Sequence, residues 1–188
     1  MKTIILSLTL ASILFVACNN DGSNKEVSDS TASVGTMDKE TTENKMPASE
    51  ILTGYLKLKN ALTNDNDKEA ATAATELAKA FKAMDKTALN AEQSQVFTDV
   101  EADAIEHAEH IAANAGNLVH QREHFETLSA EVYELVKSTG AGQKLYYTNC
   151  PMYNNNKGAN WLSETKEVKN PYLGLAMSTC GSVKEELN

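Results

Sequence analysis

The sequence lacks a surplus of basic residues. Its 17 lysines and arginines stand against 26 aspartates and glutamates, so the formal net charge at pH 7 is −9. Proteins that bind nucleic acid or anionic lipid depend on clustered Lys and Arg, and the sequence contains no such cluster. The composition therefore argues against both classes of partner, whereas an acidic surface raises the local concentration of cations.

The motifs of nucleophilic and phosphate chemistry are also missing. The sequence has no Ser-His-Asp order, no glycine-rich phosphate loop, no His-Glu-x-x-His and no Cys-x-x-Cys. Its carboxylates between Glu101 and Glu123 are spread around predicted helix surfaces, where solvation is their ordinary state. We therefore predict a protein that is not an enzyme. A copper-dependent or thiol redox enzyme is a remote alternative.

No apolar run is long enough to span a bilayer. The run at residues 4–17 has about 14 residues, against the roughly 20 that a spanning helix needs, and it fits the core of a signal peptide. It ends at Cys18 before polar residues, a pattern that resembles a bacterial lipobox, in which the signal is removed before a lipid-carrying cysteine. The sequence thus predicts a signal peptide over 1–17 and lipidation of Cys18. An ordinary signal with an incidental cysteine is the alternative.

Residues 18–48 have almost no large apolar side chains and cannot form a core. We expect a flexible tether of about 30 residues, anchored to the lipid bilayer through Cys18. The predicted location is the bacterial cell envelope, in the periplasm or at the outer membrane. Residues 49–188 remain as one domain, which is long enough to bury a core of its own.

Apolar residues recur at helical spacing through the first two thirds of this domain. The pattern predicts helices over 49–63, 67–84, 91–114 and 117–137. Short links join them, and no strand pattern interrupts them. The predicted fold class is mainly α, an up-and-down four-helix bundle.

The chain changes character from Lys144 onward. Gly, Asn, Pro and aromatic residues replace the helical pattern, and short strand pieces are predicted at 145–147 and 161–162. We expect an irregular C-terminal segment that packs across the bundle. Its expected anchors are Tyr147, Trp161, Tyr172 and Leu173.

Sulfur residues occur in this segment as two inverted pairs, Cys150 with Met152 and Met177 with Cys180. Thiolates and thioethers are soft ligands that favour copper(I). The alternative is a Cys150–Cys180 disulfide that staples the segment, with the methionines as core fillers, because disulfides persist in exported proteins.

All four histidines lie within 18 residues of one another, between His107 and His124. His107 and His110 come late in the third predicted helix, and His120 and His124 come early in the fourth. The hairpin between these helices brings both pairs to one end of the bundle. Helical projection places His107 and His124 closest to the apolar stripes, whereas solvated histidines are the ordinary alternative.

Two segments carry a resemblance to a known family. AEHIAANAGNLVHQREHFETLS and CPM…KGANWLSET…NPYLGLAMSTCG resemble bacterial envelope proteins built on a domain of unknown function, over about residues 50–188. Similar domains occur as stand-alone lipoproteins and attached to periplasmic adaptor subunits of heavy-metal efflux pumps. The resemblance implies a link to copper or a related metal and favours His110 over His107. The family pattern retains Cys150, Pro151, Met152, Trp161, Asn170, Pro171, Met177, Cys180 and Gly181, with His110-Ile111 and Gln121-Arg122 in the helices.

Together these patterns predict an envelope lipoprotein that captures or transfers copper(I) in metal homeostasis or efflux. The predicted metal ligands are Cys150, Met152, Met177, Cys180, His110 and His124. The alternative is a disulfide-stapled interaction domain, without metal, that docks on an efflux pump or another envelope protein. We expect Arg122 to pair with Glu126, one helical turn further on.

Overall fold

The structure is a computed structural model that describes residues 46–188. The predicted signal peptide, the lipidation at Cys18 and nearly all of the tether lie outside the described residues. Over 46–188, no helix has the length and apolar character needed to cross a membrane.

The domain is mainly α-helical, with four long helices followed by a small antiparallel sheet, which confirms the predicted fold class. The helices are α1 (Ser49–Thr63), α2 (Asp67–Lys82), α3 (Ala91–Ala113) and α4 (Leu118–Thr139). The strands are β1 (Leu145–Cys150), β2 (Ala159–Ser163) and β3 (Ser182–Leu187). The helices pack in sequence order, α1 on α2, α2 on α3 and α3 on α4, which is the up-and-down arrangement.

Asparagine begins three of the four helices. The side chains of Asn66, Asn90 and Asn117 each accept a hydrogen bond from a backbone N–H in the first turn, and such caps typically contribute about 1 kcal/mol each. Ser49 and Asp67 are residue types that predict helix caps, and at both positions this prediction is wrong. Both are instead the first helical residue.

An aromatic cluster joins the bundle to the C-terminal segment. Tyr55 of α1 stacks on Phe125 of α4 with ring centroids 5.3 Å apart, and Phe125 lies 5.5 Å from Tyr172. The Tyr55 hydroxyl also accepts a hydrogen bond from the Leu162 backbone N–H. Trp161 is fully buried against Tyr172. The segment thus packs across the bundle, with Trp161 and Tyr172 as its deepest anchors.

The sheet has the strand order β2-β1-β3, and both pairs are antiparallel. The first two strands include the residues that the sequence predicted, but β3 was not predicted. Its sequence, SVKEEL, carries charges, and its residues alternate between exposed and half-buried. Because β3 is an edge strand with no fully buried face, it lacks the apolar alternation on which strand prediction depends.

Arg122 ties three parts of the fold together. Its guanidinium donates to the Leu62 carbonyl and the Pro171 carbonyl, each at 2.8 Å, and pairs with Asp65. The predicted pairing with Glu126 is wrong, because the fold offers Arg122 partners from the α1–α2 turn and from the C-terminal segment. This contact holds the segment near the start of α4.

Candidate metal centre

The four histidines form one cluster between the end of α3 and the start of α4. His107 and His110 belong to α3, and His120 and His124 belong to α4. The hairpin that joins the helices ends at Asn117, whose side chain accepts from the His120 backbone N–H. This cap fixes where α4 begins. It therefore also fixes the position of the α4 histidines along the helix axis, relative to the histidines of α3. We refer to these four residues as the histidine cluster.

His124 is the centre of the cluster. Its Nδ1 lies 2.9 Å from Nδ1 of His107, and its Nε2 lies 3.2 Å from Nε2 of His120. Its ring also stacks on that of His110, with centroids 4.4 Å apart. Both nitrogens of one imidazole are therefore within hydrogen-bond distance of a neighbouring ring nitrogen.

The environment keeps the inner rings neutral. Burial lowers the pKa of His107. Burial also lowers the pKa of His124, and the positive charges that His110, His120 and His107 would carry lower it further. A neutral imidazole has a free lone pair, which is the form that binds a metal ion.

Three members of the cluster can hold one ion. His110, His120 and His124 each offer a ring nitrogen, and these nitrogens lie within 4.8 Å of one another. Metal–nitrogen bonds of about 2.1 Å place tetrahedral ligands roughly 3.4 Å apart, so small ring rotations suffice. Imidazole is a good ligand for zinc and copper, and the donor set therefore fits copper as the implied metal.

Carboxylates flank the more exposed rings. Glu106 lies 3.8 Å from Nε2 of His110, and Glu123 lies 3.5 Å from Nδ1 of His120. Carboxylates next to ligand histidines commonly orient the ring and raise its basicity. The side chains of His110 and His120 are 47% and 35% exposed, so an ion can reach the cluster from solvent.

The two cysteines form a second group, in the C-terminal segment. Cys150 ends β1 and is fully buried, whereas Cys180, just before β3, is only partly buried. Their Sγ atoms are 3.1 Å apart, and both are free thiols. Gly181 makes this approach possible, because a Cβ there would lie 2.8 Å from the Asn149 carbonyl oxygen. We refer to Cys150 and Cys180 as the cysteine pair.

The two thiols are in different electrostatic surroundings. Burial alone raises the pKa of Cys150, but hydrogen bonds from the Cys180 thiol, from the Met152 and Tyr153 N–H groups and from Asn170 outweigh it and lower the pKa. The pKa of Cys180 is raised, chiefly because its thiol donates to Cys150. Cys150 is therefore the more acidic thiol of the pair.

The predicted methionine ligands lie beside the cysteine pair. The Met152 backbone N–H donates a hydrogen bond toward both cysteine sulfurs. The Met177 carbonyl accepts a hydrogen bond from the Cys180 N–H at 3.1 Å. The two residues are 49% and 42% exposed, which is unusual for methionine. This exposure does not fit the alternative that they fill a core.

The structure thus brings the predicted residues together in two groups. His110 and His124 meet in the histidine cluster, and Cys150 meets Cys180. No hydrogen bond or ring contact within residues 46–188 joins the groups, and the metal-compatible histidine triad contains neither cysteine. A single site with all six ligands therefore stays a prediction.

The ligand set predicted from the sequence omits His107 and His120, which the structure places in the histidine cluster. Projection on isolated helices favoured one and disfavoured the other, and it says nothing about rings that meet across a helix pair. The signal that pointed to them was the confinement of all four histidines to one hairpin.

Comparison with known families identifies the helical part of the domain. A family described as "Protein of unknown function (DUF3347)" matches residues 51–144, which is half of the chain, and the protein belongs to this family. The match contains the histidine cluster and ends before Cys150. Neither a curated protein nor a solved structure matches the chain.

Proposed function

We propose that this domain is a metal-binding module that captures copper. The observation that carries the proposal is the histidine cluster, in which four imidazoles from two helices meet and three offer nitrogens within 4.8 Å of one another. Four histidines on a purely structural helix pair would gain nothing from this arrangement, because their charged forms repel one another.

Copper is favoured over other metals by the combination of donors. Imidazole accepts zinc and copper alike, but exposed thioethers and a thiolate select copper(I). We propose Cys150, Met152, Met177 and Cys180 as the soft donors, with His110 and His124 as the nitrogen donors. In this proposal the domain binds copper and does not need to catalyse a redox reaction of the metal.

The proposed setting is the bacterial envelope. The short apolar run before Cys18 supports export and a lipid anchor, and the net charge of −9 supports attraction of cations. A tethered module of this kind would buffer copper or pass it to a heavy-metal efflux system.

The test is a competition titration of the reduced protein with copper(I) and copper(II), followed by metal analysis. We expect His110→Asn/His120→Asn to weaken copper(II) binding by more than about tenfold, because two members of the histidine triad are removed. Both side chains are partly exposed, so the fold should persist. Gln95→Asn/Thr127→Asn is the matched control, with two exposed residues changed on the same two helices.

Copper(I) binding is expected to respond to Met152→Leu/Met177→Leu, which keeps volume and apolarity but removes both thioethers. If the wild type retains no copper of either oxidation state, the proposal is wrong. If copper(I) binding is identical in the methionine variant, the four-sulfur set is wrong and the histidine cluster alone remains.

A second candidate is an interaction domain without metal. The cysteine pair favours it, because thiols 3.1 Å apart can close a disulfide that fixes the C-terminal segment. A permanent disulfide in the exported protein, with no copper retained, would support this candidate.

A further inference from the structure

We propose that Cys150 and Cys180 form a reversible thiol–disulfide couple that exchanges with disulfides of other thiol compounds. Cys180 is the exchanging residue, and Cys150 is the resolving residue. This inference does not depend on metal binding, because neither step of the exchange uses a metal ion.

The backbone already holds the two cysteines at bonding range. Strands β1 and β3 pair Asn149 with Ser182, so the end of β1 faces the residues that precede β3. The Sγ atoms are 3.1 Å apart, and a disulfide bond is about 2.05 Å long. An approach of roughly 1 Å closes the bond, which side-chain rotation at the end of a strand pair can supply.

The two cysteines differ in solvent accessibility, and this difference assigns the exchanging and resolving roles. Cys150 is fully buried, so no outside disulfide can reach its sulfur, whereas Cys180 is partly exposed. The buried Cys150 sulfur lies 3.1 Å from Cys180 Sγ, so it is within reach to attack a mixed disulfide formed on Cys180.

The exchange has two balanced steps. First, Cys180 loses its proton to solvent and attacks an outside disulfide as the thiolate, which forms a mixed disulfide and releases one outside thiolate that takes up a proton. Second, the Cys150 thiolate attacks Cys180 Sγ, forms the internal disulfide and releases the second outside thiolate. Two electrons pass from the cysteine pair to the outside disulfide, and the reverse sequence reduces the pair.

Oxidation has a structural consequence. The internal bond closes the chain between residues 150 and 180 and secures the β1–β3 end of the sheet, where β3 is an exposed edge. It also withdraws both sulfurs from any soft metal. The couple would therefore respond to the redox state of the compartment, unlike a buried permanent staple.

The test uses the full chain with Cys18→Ser, so that only Cys150 and Cys180 carry thiols, after metal has been removed with a chelator. The protein is incubated with oxidised glutathione, and the products are identified by intact mass. The wild-type pair should lose two hydrogens and retain no glutathione. Reduced glutathione should restore both thiols.

Single variants separate the two roles. Cys150→Ser should trap glutathione on Cys180, whereas Cys180→Ser should react at least about tenfold more slowly, because Cys150 is buried. Unfolding Cys180→Ser in denaturant should restore its reactivity, which shows that the thiol itself is intact. Two results would overturn the proposal: a wild-type pair that stays reduced, or equal adduct rates in the two folded variants. Copper binding is measured separately, so failure here leaves the metal proposal standing.

Discussion

The bundle and the C-terminal segment hold their shape by different means. In the bundle, apolar side chains recur along each helix, and every helix supplies its own backbone hydrogen bonds. The segment has three short strands and depends on contacts with residues far away in the chain: its Tyr172 packs on Phe125 of α4, and Arg122 and Lys59 reach it from α4 and α1. Irregular segments of this kind stay ordered only where long-range contacts outweigh the entropy cost.

The two candidate sites differ in the same way. The histidine cluster is built from neighbouring helices joined by one short hairpin, so its geometry follows from helix packing. The cysteine pair joins residues 30 positions apart in the chain, and its geometry depends on the sheet and on Gly181. If the segment unfolds locally, the two cysteines should therefore separate, whereas the histidines should stay close together.

Removing the central anchor is the strongest test of that difference. Trp161→Ala should lower the free energy of unfolding by about 3–5 kcal/mol, because a fully buried indole leaves a large cavity. We expect amide exchange to increase first in residues 145–187 and less in the four helices. Urea denaturation with hydrogen exchange measures both effects.

Val119→Ala is the control, since Val119 is 68% exposed and little change is expected. If amide protection is lost equally in the helices and in the segment, the two regions unfold as one unit. The proposed difference between the bundle and the C-terminal segment would then be wrong.

The next test concerns a buried ion pair between the regions. Lys59 of α1 is almost fully buried, and its Nζ lies 2.8 Å from the Glu164 carboxylate. Burial lowers the pKa of Lys59, while the pair with Glu164 opposes that shift. Glu164→Gln leaves the ammonium without its counter-charge, and we expect a loss of about 2 kcal/mol, less than for a wholly buried pair because Glu164 is partly exposed.

Glu76→Gln is the matched control, because it breaks a Lys57–Glu76 pair of the same length, 2.8 Å, whose side chains are about half exposed. Chemical denaturation of both variants should show a clear loss for Glu164→Gln and little for Glu76→Gln. Equal effects would mean that the Lys59 pair does not hold the segment to the bundle.

The smallest expected effect concerns the half-buried carboxyl group of Glu131 in α4. Burial, followed by repulsion from Asp103, raises the pKa of Glu131 to about 7, and its Oε2 is buried without a hydrogen-bond partner. The folded state therefore favours the protonated acid. Its contribution to stability is fully present below the unfolded pKa, near 4.5, and is lost as the pH rises through 7.

Glu131→Gln should therefore be relatively more stable at pH 8 than at pH 5, by about 1 kcal/mol after allowance for partial solvent screening. Denaturation of wild type and variant at both pH values measures this difference. Glu134→Gln, an exposed change on the same helix, is the matched control. A pH-independent difference for Glu131→Gln would contradict the assignment.

The sequence by itself determined the helices. Predicted and observed bounds agree within two residues, and those of α1 coincide, because apolar periodicity and turn residues act locally. It also indicated β1, β2 and the anchors Trp161 and Tyr172, since aromatic residues in a polar segment must be buried somewhere.

Tertiary structure decided which side chains contact one another. Arg122 was expected to pair along its own helix, but the fold presents Asp65 and two backbone carbonyls instead. His107 and His120 joined the cluster only because α3 and α4 pack side by side and bring their imidazoles into contact. Local rules describe one element at a time, whereas a side chain's partner depends on which elements meet, and that is settled by packing the whole domain.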